Sequence, residues 1–236
     1  MSNKYTQYLL SISKGFIVCA LGGLWGILLI SCHFLDTESQ GREEENSTRE
    51  AKLLVHPLEA DTLMLLAQEG DLVFRTGLSI VSRLVTTSDK ESIYSHIGLV
   101  TLLDSVPMII HAVPGEPVTD DGIDRVKIEP LSWFLSKSRA SHALLMHSNV
   151  CNDTLTAVIN EAKQKVNRHI LFDHEFKLDT DDKLYCTELI YKVFMSQGID
   201  LTQGRRSHYA IPILGGTYLF PSDIEKNERL TAIYSY

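Results

Sequence analysis

The chain has 236 residues, a net charge of −8 and 44% apolar residues. That suffices for one sizeable core, excludes wholesale disorder, and offers no basic surface to neutralise the phosphates of a nucleic acid. No internal repeat is visible.

The first 52 residues differ from the rest. Lys4 and Lys14 precede the stretch from Gly15 to Cys32, which holds no charged side chain. A basic start followed by an apolar run is the pattern of a secretory signal. Leu29-Ile30-Ser31-Cys32 resembles the lipobox of bacterial lipoproteins, where the cysteine is lipidated and becomes the mature N-terminus. Residues 1–31 are therefore expected to be a lipoprotein signal peptide, with Cys32 as the lipidation site. The alternative is an uncleaved anchor, since roughly 17–20 apolar residues can span a bilayer. Lys4 and Lys14 place the remainder outside the cytoplasm on either reading. His33, where an aspartate would favour inner-membrane retention, tilts the expectation toward the outer membrane, facing the periplasm. Residues 32–52 are polar and charged and read as a flexible tether. The folded domain is expected over 53–236.

Within it, "EGDLVFRTG" alternates between glycines and predicts a strand, and "LSIVSRLVTTS" has helical spacing after Ser79. "YSHIGLVTLLDSVPMIIHAVPGE" is two apolar runs around Asp104-Ser105, the outline of a β-hairpin. "RVKIEPLSWFLSKS" predicts a strand entering a short helix near Pro130, and "SHALLMHS" another strand. "NDTLTAVINEAKQKV" predicts an amphipathic helix capped by Asn152, Asp153 or Thr154. In "KLYCTELIYKVF", Leu189, Ile190, Val193 and Phe194 form a buried helical stripe. Asp179, Asp181 and Asp182 are its candidate caps, and Gly198 is its stop. Strands and helices in separate runs imply an α+β fold, an antiparallel sheet packed against helices.

Two cysteines, Cys151 and Cys186, lie in the folded part, and in an oxidising compartment they could pair. Cys186 falls in the first turn of its helix, where unpaired N–H groups and the dipole favour thiolate and can hold an oxyanion. Cys151 also adjoins a helix start. A hairpin turn centred between Leu103 and Asp104 would set Val100 opposite Pro107, Gly98 opposite Ile109 and His96 opposite His111, on one face. A thiol, an imidazole base and a second polar group that orients the base make a nucleophilic constellation. On spacing alone, a core cysteine and unrelated histidines remain open.

"GDLVFRTG", "YSHIGLV", "HAV" and "YCTELIYKVF", with "FD.EF" at Phe172–Phe176 and "FPSDI" at Phe220–Ile224, occur in the order seen in the YiiX/YaeF-like permuted papain-like hydrolases. These are relatives of the NlpC-type cell-wall peptidases, and the resemblance runs from Gly70 to about Asp223. It implies a circularly permuted papain-like fold, Cys186 as nucleophile and His96 as general base and acid. His111 stands at the third, orienting position, and Tyr185 beside the nucleophile can support the oxyanion. It further implies a thiol hydrolase acting on peptide or amide bonds through a thioacyl enzyme, with peptidoglycan fragments as plausible substrates. Alternatives are a lipid ester or thioester hydrolase, an acyltransferase, or a non-catalytic envelope lipoprotein. No cofactor or metal is expected, for His142, His147, His169, His174 and His208 lack ligand spacing. Glu188 reads as structural, Asp71 as a turn residue, and Arg205 and Arg206 as solvated.

Overall fold

The computed structural model describes residues 59–117, 121–178, 180–209 and 216–236. The expected signal, Cys32 and the tether lie outside these residues, as does Asp179. Helix α1 covers 59–66. It is followed by β1 (Leu72–Gly77), α2 (Ile80–Ser88), β2 (His96–Leu103), β3 (Val106–Ala112), β4 (Val126–Pro130) and α3 (Leu131–Phe134). Then come β5 (Ala140–Ser148), α4 (Asn152–Asn167), β6 (Leu171–Phe172), β7 (Lys183–Leu184) and α5 (Cys186–Met195). The chain closes with β8 (Ser207–Tyr209), β9 (Gly216–Tyr218), α6 (Pro221–Glu225) and β10 (Leu230–Ser235).

Six strands form one antiparallel sheet in the order β10-β5-β1-β2-β3-β4. Period-two alternation divides its side chains between two layers. Leu72, Phe74, Ile97, Leu99 and Ile110 pack on α4 and α5. Val73, Val100, Ile109, Ala143 and Leu145 pack under α3 and α1. The α5 stripe of Leu189, Ile190, Val193 and Phe194 is fully buried, each side chain contributing about 1.5–3 kcal/mol. Gly198, at φ 73, ends the turn after α5.

The hairpin exists, but its expected register is corrected. The turn is the two-residue Asp104-Ser105, both at positive φ (49° and 68°), as the right-handed twist of the strands demands. Leu103 therefore faces Val106 and Val100 faces Ile109. This shift of two positions keeps the parity of the side chains, so His96 and His111 still share a face, diagonally rather than directly opposed.

Two expected caps are also corrected. α5 is capped by extended backbone at Tyr185, with no side-chain hydrogen bond at the cap. Asp181 instead pairs with Lys192 at 2.8 Å. α4 is capped by Cys151. Among the described residues no helix is long and apolar enough to cross a membrane.

Candidate active site

Cys186 is the first helical residue of α5 and is a free, buried thiol, as Cys151 is a free, exposed one. The disulfide alternative is thereby removed. The β2–β3 ladder ends at Leu99–Ile110, and Ile97, beyond it, has no partner on β3. Its N–H reaches the Cys186 sulfur instead. That N–H belongs to the peptide unit joining His96 to Ile97, so the thiol meets β2 one peptide unit from His96. Thr187 Oγ1 lies 3.7 Å from the sulfur.

His96 Nε2 is 2.9 Å from His111 Nδ1, both rings fully buried or nearly so. The two rings meet edge to face, and Phe134 of α3 packs on both. Gly98 makes the contact sterically possible. A Cβ there would come within 2.5 Å of Ile109 Cγ1 and 3.2 Å of His111 Cβ. With no side chain at 98, His111 leans across the strand to His96. Because Nε2 is engaged, Nδ1 is the His96 ring nitrogen not committed to His111.

Glu129 was not legible as a site residue. Its Oε1 is 3.0 Å from His111 Nε2, and Lys127 and Arg139 hold the same carboxylate at 3.0 and 2.9 Å. Arg75 extends the cluster by pairing with Glu116 at 2.7 Å and lying 4.3 Å over the Phe134 ring. In "VKIEP" the charged positions alternate with Val126 and Ile128, which reads as a solvent face. α3 folds over that face, and Lys127 and Glu129 are each only 5% exposed.

These surroundings set the resting charges. Burial drives His96 well below its ordinary value, and the nearby Arg75, His111 and Lys127 push it the same way. Burial lowers His111 to about 4 against the opposing pull of Glu129. Burial would raise Glu129, but the hydrogen bond and charge of His111 and the charge of Lys127 outweigh it and hold the carboxyl below its usual range. Burial pushes the Cys186 thiol up, beyond what Thr187 and the Ile97 N–H return. The expected resting thiolate is not favoured by these surroundings: burial holds the thiol above, and both imidazoles below, their ordinary values.

The Tyr185 hydroxyl accepts the Leu219 N–H at 2.9 Å and keeps its own proton for donation. Glu188 is fully buried and pairs with Lys192 at 3.0 Å. Asp71 accepts from Gln68 N–H and sits 2.8 Å from His147, a turn position. Arg205 donates to the Asp223 carbonyl, and Arg206 stacks on Tyr191.

The sequence profile described as permuted papain-like amidase enzyme, YaeF/YiiX, C92 family, matches residues 66–211. Among solved structures, the chain is similar to one titled metalloprotein YiiX, from Escherichia coli O157:H7. The TM-score is 0.58 at 19% identity, over 72% of this chain and 97% of that one. No curated protein matches. Among the described residues no group of three or more His, Cys, Asp or Glu is placed to hold a metal ion.

Proposed function

Because the chain belongs to the permuted papain-like amidase family, hydrolases of amide bonds with an antiparallel sheet packed against helices, we propose that it is a cysteine amidase using Cys186, His96 and His111. The observation carrying this reading is the buried His96–His111 hydrogen bond at 2.9 Å beside the strand position whose N–H meets the Cys186 sulfur.

His96 Nδ1 takes the thiol proton as Sγ attacks the amide carbon, so charge separates only along the reaction path. The N–H groups at the start of α5 hold the oxyanion, with Tyr185 O–H as a further donor. His96 returns the proton to the leaving amine, a thioacyl enzyme forms, and water activated by His96 releases the acid. The substrate class is a peptide or amide of the cell wall, in keeping with kinship to NlpC-type peptidases. The domain works at the envelope, facing the periplasm, held through a lipid on Cys32 or by an uncleaved N-terminal helix.

A second reading, hydrolysis or transfer of acyl groups of lipids, draws on α2. None of its residues is buried, Ile80 is 85% exposed, and Leu78, Leu84 and Ile93 extend the apolar surface. The Thr76 hydroxyl holds the Ile93 carbonyl at 2.9 Å, joining that surface to β1.

The test is incubation of wild type and Cys186→Ala with muropeptides and, separately, with acyl-lipid esters. New amino termini formed by wild type alone support the amidase. Release of fatty acid alone supports the second reading, and no turnover of either removes both.

A further inference from the structure

Glu129, His111 and His96 run diagonally across β4, β3 and β2, joined by contacts of 3.0 and 2.9 Å. All three lie beneath α3, sealed by Phe134. The direction of the hydrogens along this row follows from counting donors. Glu129 also accepts from Lys127 and Arg139, which can only donate, and is thereby kept as an anion with no proton to give. The hydrogen in the His111–Glu129 contact must then sit on His111 Nε2. A neutral imidazole carries one N–H, so His111 Nδ1 is an acceptor. The hydrogen between the rings therefore comes from His96 Nε2, and His96 Nδ1 is left as a bare lone pair.

We propose that Glu129 is a positioning residue that fixes the tautomers of two imidazoles in series, so that His96 keeps an unprotonated Nδ1 as the base. The inference rests on the thiol reading above and assigns a role to a residue outside its triad. Glu129 keeps its charge throughout: the one proton that moves goes from Sγ to His96 Nδ1. Its charge also offsets that of the imidazolium once formed, at the distance of one intervening ring. The charged groups facing the row are Lys127 on β4, Arg139 ahead of β5, Arg75 on β1 and Glu116 in the β3–β4 loop. Three cations against two carboxylates favour neutral over protonated imidazoles, so the row rests in the tautomeric form that the base requires.

Two measurements on the full chain test this. In the first, 15N-labelled wild type is read by long-range proton–nitrogen NMR at neutral pH. His96 and His111 are both expected as Nε2–H tautomers, and an Nδ1–H ring or an imidazolium at either position would overturn the proposal. In the second, Glu129→Gln is treated with a p-nitrophenyl ester and the acyl group on Cys186 is followed by peptide mass. Acylation is expected to slow about tenfold or more, as when a triad carboxylate that sets a tautomer is neutralised, while acylation of Cys151 in the same sample is unchanged. A wild-type rate at Cys186 would overturn it. If wild-type Cys186 accepts no acyl group, the nucleophile reading fails, and the NMR result still decides the tautomers.

Discussion

Two thiols in this molecule sit at helix N-termini, and they share little else. Cys151 caps α4, is exposed, and lies 3.0 Å from the Thr154 hydroxyl, whose hydrogen bond lowers its pKa. Cys186 opens α5, is buried, and has its pKa raised by that burial. By ground-state acidity alone, Cys151 is the readier nucleophile. What Cys186 has instead is the end of the β2–β3 ladder, the Ile97 N–H on its sulfur, and a histidine next in the chain tied to a second histidine. A helix N-terminus is common to both thiols; a strand carrying an imidazole beside the sulfur's N–H partner is found only at Cys186.

The largest effect that sharpens this contrast is removal of each sulfur. Cys186→Ala is expected to lower amide hydrolysis by about 10³-fold or more, whereas Cys151→Ala leaves the rate within about twofold of wild type. Equal losses in a steady-state assay would erase the distinction between the two thiols. Next is Gly98→Ala, which forces Ile109 and His111 to move. A loss of about tenfold in rate with destabilisation of about 1–3 kcal/mol is expected, the usual range for an overpacked core. An unperturbed variant in both respects would mean that the close approach over Gly98 does not position His111.

Smaller still is the difference in pH profile. Alkylation of Cys151 by iodoacetamide should rise below the ordinary thiol value of 9.0, and that of Cys186 only above it. Site-resolved mass mapping across pH 6 to 10 reads both, and a Cys186 rate already on its plateau at pH 6 would restore a resting ion pair. Least is the effect of Glu188→Gln. Burial raises the Glu188 carboxyl from 4.5 to about 7 despite Lys192. The folded protein thus binds this proton more tightly than the unfolded chain does. Its stabilisation is full below about pH 4.5 and lost as pH climbs through about 7. In the variant, urea midpoints at pH 5 and pH 8 should lie closer together than in wild type.

The contrast between the thiols was half legible in the sequence. The apolar spacing after Cys186 located α5, because a buried stripe at 3.6-residue period has one structural meaning. Hairpin parity put His96 and His111 on one face even though the register was two positions off. Asp104-Ser105 carry the turn at positive φ, and neither residue identifies that centre as an Asn-Gly pair would. Glu129, Lys127 and Arg75 stayed hidden because alternating charges in a strand read as a wetted face. Only the fold of α3 over β3 and β4 turns them inward. The ionisation of Cys186 was misjudged for a related reason: the dipole was visible in sequence and the burial was not.

The most direct test is a quench during turnover of an activated acyl ester, followed by peptide mapping. The account predicts the acyl mass on the Cys186 peptide, lost in His96→Ala. Acyl mass on Cys151, or on neither cysteine while product accumulates, would contradict it.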